Sequence, residues 1–319
     1  MLRRCPLSAV FSVAAAGFFG AAAIAADVPR VVVTLKPVHA LVAAVMAGVT
    51  EPTLVVDGSA SPHTFTLKPS VARAINNADV FIRVSEQLEP FTRKVAEALP
   101  KSVTLVTLVD QKAGVKLLDQ RSSGTFEQHA HAEDGDHSGH DQQEPKLYDA
   151  HIWLDPANAK AIVEAVTKTL AAKYPAHVKA FELNAAALVL KIDALSAQIE
   201  NDLAPVKDKP FIVFHDAYQY FEKRFGLAAA GSVTLSPDQQ PSAKRLTAVR
   251  KKISELGAVC VFAEPGFQPN LITAVTEGTK ARAGTLDPEG IALTPGPDLY
   301  FELMRGLAKN AADCLAPAP

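Results

Sequence analysis

The chain has 319 residues, of which 48% are hydrophobic and 21% are charged, and these values are typical of a globular protein. The length allows two domains of ordinary size. A formal net charge of -2 excludes the strongly basic surface on which nucleic-acid binding depends.

The first 26 residues predict a secretory signal peptide. Arg3 and Arg4 give it a positive start, an apolar run follows to about Ala26, and Ala23-Ile24-Ala25 is a candidate cleavage tripeptide. Its removal takes away two arginines and no acidic residue, which changes the net charge from -2 to -4. The alternative is a membrane anchor, which the shortness of the run and the lack of a second spanning segment disfavour.

After this segment, β-branched apolar runs alternate with short helical patterns. This alternation predicts βαβ units around a parallel sheet. In chain order the segments are PRVVVTL, HALVAAVMAGV, TLVVDG, SVARAINNA, DVFIRVS, EPFTRKVAEALP and SVTLVTLV.

Residues 111–147 break the alternation, because they are polar and have no periodicity. We expect a disordered loop over about 120–144, which contains His129, His131, His137 and His140 in the stretch HAHAEDGDHSGHD. Ordering such a segment would cost about 1–2 kcal/mol of backbone entropy per residue. The prediction is therefore an accessory metal site of low affinity, and a solvated linker with no role is the alternative.

Asp155-Pro156 predicts the start of a helix, with the aspartate as cap and the proline at the first helical position. A second, longer helix is predicted from about Pro175 to Leu203, with a length of roughly 42 Å at 1.5 Å per residue. Its apolar face repeats at spacings of three and four residues. The residues of this face are Leu188, Ile192, Leu195, Ile199 and Leu203.

Strand and helix patterns then resume, which predicts a second α/β lobe and a cleft between the two lobes. We expect the first lobe at 27–174, a bridging helix at 175–204 and the second lobe at 205–319. The segments are PFIVFH, DAYQYFEKRFG, LAAAGSVTL, SAKRLTAVRKKISELG, VCVFAEP, NLITAVTEGTKA, AGTLDP and DLYFELMRGLAKNAADCL.

Cys260 and Cys314 are the two cysteines that remain after the signal peptide. In an oxidising compartment an even pair predicts a disulfide, and two free thiols are the alternative. Such a bond would join the VCVFAEP segment to the C-terminal helix and contribute roughly 4 kcal/mol in the chain-entropy model.

Three histidines and one aspartate lie at strand ends or beside rigid elements, where open α/β sheets bind ligands. They are His63 in SPHTF, His151 in AHIWLDP, His215 at the end of PFIVFH, and Asp287 in GTLDP. Three imidazoles and a carboxylate suit four-coordinate Zn²⁺, whereas Mn²⁺ prefers more carboxylates. Because the four are far apart in sequence, spacing alone leaves structural or solvated histidines as alternatives.

Glu264 in FAEP also ends a predicted strand. It is either a hydrogen-bond acceptor behind a metal ligand or a cap, and the sequence does not choose between these roles.

Around these residues the chain resembles the metal receptors of bacterial ABC uptake systems, and among them the periplasmic zinc-binding (ZnuA-type) proteins. The resemblance implies two Rossmann-like lobes joined by one long rigid helix, with the metal site in the cleft between them. It is carried by VTLKPVHALVAAV, VDGSASPHTFTLKPS, HIWLDP, FIVFHDAYQYFEKRFGL, VCVFAEPGFQP and GTLDPEG.

Carried over by position, the resemblance implies His63, His151 and His215 as ligands and Asp287 at the fourth place. In zinc members that place is sometimes filled by water or another carboxylate. Manganese members typically carry Glu where this chain has His215, which favours zinc. The cysteine pair matches the disulfide of some zinc members, and the His-rich insert is another of their features.

The implied function is capture of Zn²⁺ as cargo and its delivery to the membrane permease of an ABC importer, without chemistry on the ion. An auxiliary periplasmic zinc chaperone is a further partner, and we expect a monomer in the periplasm. The alternatives are a manganese receptor of the same family, a zinc hydrolase, and an adhesin built on the same fold. A three-histidine site also occurs in hydrolases, but the chain has no HExxH motif.

Overall fold

A computed structural model describes residues 28–317 except 59, 122–146, 235, 238–239 and 268. The predicted signal peptide and the four histidines of the insert lie outside the described residues. Among the helices that are described, none has the length and apolar character needed to cross a membrane.

The first lobe alternates strands and helices around a parallel sheet whose strand order is β2-β1-β3-β4. The inner strands are rich in Val, Ile and Phe and are buried on both faces, as a parallel sheet requires. The elements are β1 (Val31–Val33), α1 (Lys36–Val45), β2 (Thr53–Leu54), α2 (Pro69–Asn76), β3 (Val80–Arg83), α3 (Arg93–Glu97) and β4 (Thr104–Thr107).

Two helices connect the lobes. The first, α4, spans Pro156–Lys173, and Asp155 caps it as predicted by accepting the N–H of Ala157. The second, α5, spans Val178–Leu203 and is about 39 Å long. It begins later than predicted, because Pro175–His177 form a separate 3-10 turn.

The second lobe repeats the arrangement, with a parallel sheet in the order β6-β5-β7-β8. Two α/β lobes joined by a long helix are the predicted fold class, which is confirmed. The limits of the lobes stay predictions. The elements are β5 (Phe211–Val213), α6 (Gln219–Phe225), β6 (Ala229–Ser232), α7 (Ala243–Leu256), β7 (Cys260–Ala263), α8 (Pro269–Thr276), β8 (Arg282–Thr285) and α9 (Leu299–Leu315).

One hydrophobic core runs through both lobes. The predicted apolar face of α5 is buried, and this helix packs against α1, α4 and α9. Residues from β1 through α9 belong to the same cluster of contacting buried side chains, and a second cluster fills the other face of the second sheet. The lobes are therefore joined by packed apolar surface in addition to the covalent connection.

The structure contains the disulfide Cys260–Cys314. Cys260 lies in β7 and Cys314 in α9, and both are buried. The bond therefore ties the helix that packs against α5 to the centre of the second sheet.

Glu89 is a buried carboxyl in the turn that follows β3. Its Oε2 accepts the N–H of Ser85 at 2.9 Å, and the Oγ of Ser85 accepts the N–H of Leu88 at 3.0 Å. Burial raises the pKa of Glu89 to about 7. The ionised form is therefore disfavoured in the folded protein relative to the unfolded chain.

We expect Glu89→Gln to remove a pH-dependent loss of stability. Between about pH 4.5 and pH 7 the unfolded chain releases the Glu89 proton while the folded protein retains it, so stability falls as pH rises through this window. Full ionisation above it costs on the order of 3 kcal/mol. Urea unfolding at pH 5 and pH 8 should give a smaller difference for the variant, and an unchanged difference would contradict the assignment.

Candidate metal centre

The side chains of His63, His151 and His215 meet between the lobes. One ring nitrogen from each lies within 4.8 Å of the other two. Nε2 of His151 and Nε2 of His215 are 3.3 Å apart, and the three ring centroids are separated by 5.2, 5.7 and 5.9 Å. Residues that are far apart in sequence thus form one compact group of imidazoles.

The topology of the second sheet explains the position of His215. In the second sheet the strand order reverses between β5 and β7, and the crevice outside such a reversal is the usual ligand site of open α/β sheets. His215 follows β5, and Glu264 follows β7 directly. His63 comes from the loop between β2 and α2, and His151 precedes the 3-10 turn Ile152–Leu154 that leads into α4.

A carboxylate behind His215 orients its ring. Nδ1 of His215 lies 2.6 Å from Oε2 of Glu264, and Oε1 of Glu264 accepts the main-chain N–H of His215 and the hydroxyl of Tyr218. Assigning the ring proton to Nδ1 satisfies this network and leaves the Nε2 lone pair directed at the other rings. Glu264 therefore accepts a hydrogen bond from a candidate ligand, and its role behind a metal-bound histidine stays a prediction.

Asp149 plays the same part for His151. Its Oδ1 lies 2.8 Å from Nδ1 of His151 and also accepts the main-chain N–H of that residue. The hydroxyl of Tyr220, in the second lobe, donates to the carbonyl oxygen of Asp149 at 2.8 Å. Asp149 was not among the residues predicted from the sequence, although its position two residues before the histidine in DAHIW is a signal that could have indicated it.

His63 supplies the third nitrogen and is held neutral. Burial lowers the pKa of His63 well below its ordinary value, and the neighbouring His151 and His215 lower it further. Its Nε2 is buried and has no hydrogen-bond partner among the described residues. A buried polar atom without a partner is costly, and a metal cation would satisfy this lone pair.

Asp287 does not belong to the group of three nitrogens. It follows β8, and its carboxylate oxygens accept the N–H groups of Glu289 and Ala292, each at 3.2 Å. Its place as fourth ligand stays a prediction. Glu289 is buried beside it, and burial, together with the charges of Glu264 and Asp287, raises the pKa of Glu289 well above its ordinary value.

The histidines open into a cavity of about 200 Å³. This volume is below the roughly 300–1,000 Å³ of sites that hold organic ligands, and it suits an ion with a few waters. A larger cavity of about 1230 Å³ lies on the second lobe and contains none of the three histidines. The cleft is lined by His63, Gln87, Leu88, Gln120, Tyr148, Asp149, Ala150, His151, His215, Asp216 and Ser236.

Arg121, the last described residue before the insert, lines the larger cavity and directly follows Gln120 of the cleft. Its guanidinium donates to Asp216 and Glu222, both at 2.8 Å, and so joins the start of the insert to the second lobe. The N–H of Gln120 donates to the carbonyl of Leu147 at 3.2 Å, so the two ends of the insert are adjacent.

Two parallel α/β lobes, a long connecting helix and a compact group of three imidazoles define a bilobal solute-binding protein with a candidate site for a metal ion. The sequence profile of the family described as zinc-uptake complex component A, periplasmic (ZnuA), matches residues 31–314. The chain belongs to this family.

Two relatives illustrate the match. A protein named high-affinity zinc uptake system protein ZnuA from Brucella suis biovar 1 (strain 1330) is 44% identical over 321 residues, covering 94% of this chain and 96% of that protein. The protein of the same name from Paracoccus denitrificans (strain Pd 1222) is 38% identical, covering 91% of this chain and 93% of its own length.

Solved structures share the fold. The laminin-binding protein Lmb of Streptococcus agalactiae, described as bifunctional with adhesin and metal-transporting activity, is 26% identical with a TM-score of 0.73, covering 90% of this chain and 98% of its own. A crystal structure of ZnuA is 21% identical with a TM-score of 0.73, covering 91% of this chain and all of that one.

We expect Glu264→Gln and Asp149→Asn to weaken zinc binding by about 10–100-fold each, as is usual when the partner behind a metal-bound histidine is changed. The amide keeps the size of the side chain but no longer fixes the Nδ1–H tautomer. Calorimetric titration with Zn²⁺ measures the effect, and Asp193→Asn, on an exposed turn of α5, is the matched control. Unchanged affinity in both variants would contradict the role assigned to these carboxylates.

Proposed function

We propose that this protein is the periplasmic receptor of an ABC zinc importer, which captures Zn²⁺ and delivers it to the membrane permease. The convergence of three imidazole nitrogens carries the proposal, because this is a donor set that zinc prefers, and the pKa of His63 is held well below its ordinary value. The names of the relatives, high-affinity zinc uptake system proteins, support it.

The donor set favours zinc over manganese. Imidazole nitrogen suits Zn²⁺, whereas carboxylate and carbonyl oxygens suit Mn²⁺. In the described residues the compact group consists of nitrogens alone, and Asp287 is the proposed fourth ligand that would complete a tetrahedral His₃Asp site. The small cavity supports binding of an ion, which argues against a hydrolase acting on a polymer.

The proposal includes export by the N-terminal 26 residues, whose removal would leave a receptor that acts as a monomer in the periplasm. The permease is its membrane partner, and an auxiliary periplasmic zinc chaperone is an additional one.

We expect His63→Ala, His151→Ala and His215→Ala to weaken zinc binding by more than about 100-fold, because loss of a ligand exceeds the 10–100-fold effect of losing the partner behind it. In the intact protein, affinity should fall as pH drops and protons compete for the imidazoles, and His63 should be protonated only well below the ordinary imidazole range, because its pKa is lowered. Calorimetry with Zn²⁺ and competition with Mn²⁺ measure both effects.

His177→Ala is the matched control, since this histidine lies in the 3-10 turn before α5, away from the cleft. Preference for Mn²⁺ in the competition, or zinc binding no tighter than micromolar in the unaltered protein, would overturn the proposal.

The insert is proposed as an accessory zinc collector of low affinity, with His129, His131, His137 and His140 as its ligands. Because Gln120 and Leu147 pair across its base, residues 122–146 can be replaced by the two-residue turn Asn-Gly. We expect this variant to retain the single tight site and to lose only weak zinc binding in calorimetry. Loss of the tight site would show that the insert carries it.

A further inference from the structure

Lys36 joins the two lobes from a buried position. It is the first residue of α1 in the first lobe, and only 6% of its surface is exposed to solvent. Its Nζ donates to the carbonyl oxygens of Ile291 at 2.8 Å, Leu293 at 3.2 Å and Gly290 at 3.4 Å. An ammonium group has three N–H donors, so these contacts from the second lobe account for all of them.

The segment that Lys36 holds contains Asp287. Residues 287–293 fold back around its carboxylate, which accepts the N–H groups of Glu289 and Ala292. The indole N–H of Trp153 donates to the carbonyl of Pro288 at 2.8 Å. Two side chains of the first lobe, Lys36 and Trp153, therefore fix a segment that follows the last strand of the second lobe.

The same lysine lies near the loop that carries His63. Lys36, Ala60, Pro62 and Glu289 line a void of about 10 Å³, which is no larger than the roughly 10–15 Å³ that a single ordered water needs. The His63 loop, Lys36 and the 287–293 segment thus border one small void.

The three carbonyl oxygens satisfy the ammonium of Lys36. A buried ammonium is costly unless it is hydrogen-bonded, and each of its N–H groups has an acceptor in the 290–293 segment. Glu289 beside it is not needed as a counter-ion, because burial and the charges of Glu264 and Asp287 raise the pKa of Glu289 well above its ordinary value. The position accordingly favours a cation with three donors over an apolar side chain of the same length.

From these contacts we infer that Lys36 is a positioning residue for the metal site. By holding the carbonyls of residues 290, 291 and 293, it sets where the Asp287 carboxylate stands relative to the three imidazoles. This inference rests on the proposed zinc function and on Asp287 as the fourth ligand. Lys36 would thus affect the affinity for zinc indirectly, through the position of Asp287.

The test is a double-mutant cycle between Lys36→Met and Asp287→Ala, read by calorimetric titration with Zn²⁺. Methionine keeps the length of the lysine stem and removes its donors. We expect Lys36→Met to weaken zinc binding by about 10–100-fold in the unaltered background and to have almost no effect when Asp287 is already alanine. With Co²⁺ in place of zinc, the visible absorption of Lys36→Met should shift towards that of Asp287→Ala.

Arg224→Met is the matched control, because Arg224 also makes a cation contact between the lobes, to Asp155 at 2.6 Å, but does not touch the 287–293 segment. It should leave zinc affinity and the Co²⁺ spectrum unchanged. If Lys36→Met does not fold, as judged by circular dichroism, Lys36→Gln keeps an N–H donor on a shorter stem and takes its place in the cycle.

Three results would overturn the inference while leaving the zinc function intact. These are unchanged affinity in Lys36→Met, an equal loss with and without Asp287, and an equal loss in Arg224→Met. Lack of effect in Asp287→Ala would also overturn it. Failure of the unaltered protein to bind zinc would instead refute the proposed function itself.

Discussion

The hydrogen bond between a ring Nδ1–H and a carboxylate is the interaction on which the site depends. His151 and His215 each make one, to Asp149 and Glu264, and in each case the lone pair on Nε2 is directed at the centre of the cleft. Without these bonds a buried imidazole could rotate or take the other tautomer, and the three nitrogens would no longer converge. His63, which has no such carboxylate, is kept neutral by burial instead.

The two lobes hold the three imidazole rings in a rigid surrounding structure. Each lobe is a parallel sheet with the same strand order, and the helices α1, α4, α5 and α9 pack between the lobes in one continuous core. Opening the cleft as a hinge would expose part of this apolar surface, at a cost of about 25 cal/mol per Å². Local movement of the loops that carry the ligands is therefore cheaper than separation of the lobes.

The sequence was sufficient to predict the fold class, the capped start of α4 and the buried face of α5, since these depend on periodicity and local chemistry. It also suggested His63, His151 and His215, because each lies next to a rigid element. Contacts between distant residues could not be predicted from it. Lys36 and its carbonyl partners are more than 250 residues apart, and no pattern near Lys36 in the sequence indicates these partners. The start of α5 was placed too early because Pro175–His177 form a 3-10 turn, and the local pattern does not separate such a turn from the first turn of an α-helix.

The pairing of Gln120 with Leu147 has a consequence for how such proteins can diverge. The insert leaves and re-enters the fold at adjacent points, so its length does not alter the distance between the two halves of the cleft. The entropy of closing a loop grows only with the logarithm of its length in the chain-closure model, so each doubling adds about 0.6 kcal/mol. The number of histidines in the insert can therefore differ between related proteins without changing the cleft. The three histidines of the cleft, in contrast, depend on the strands and turns that position them.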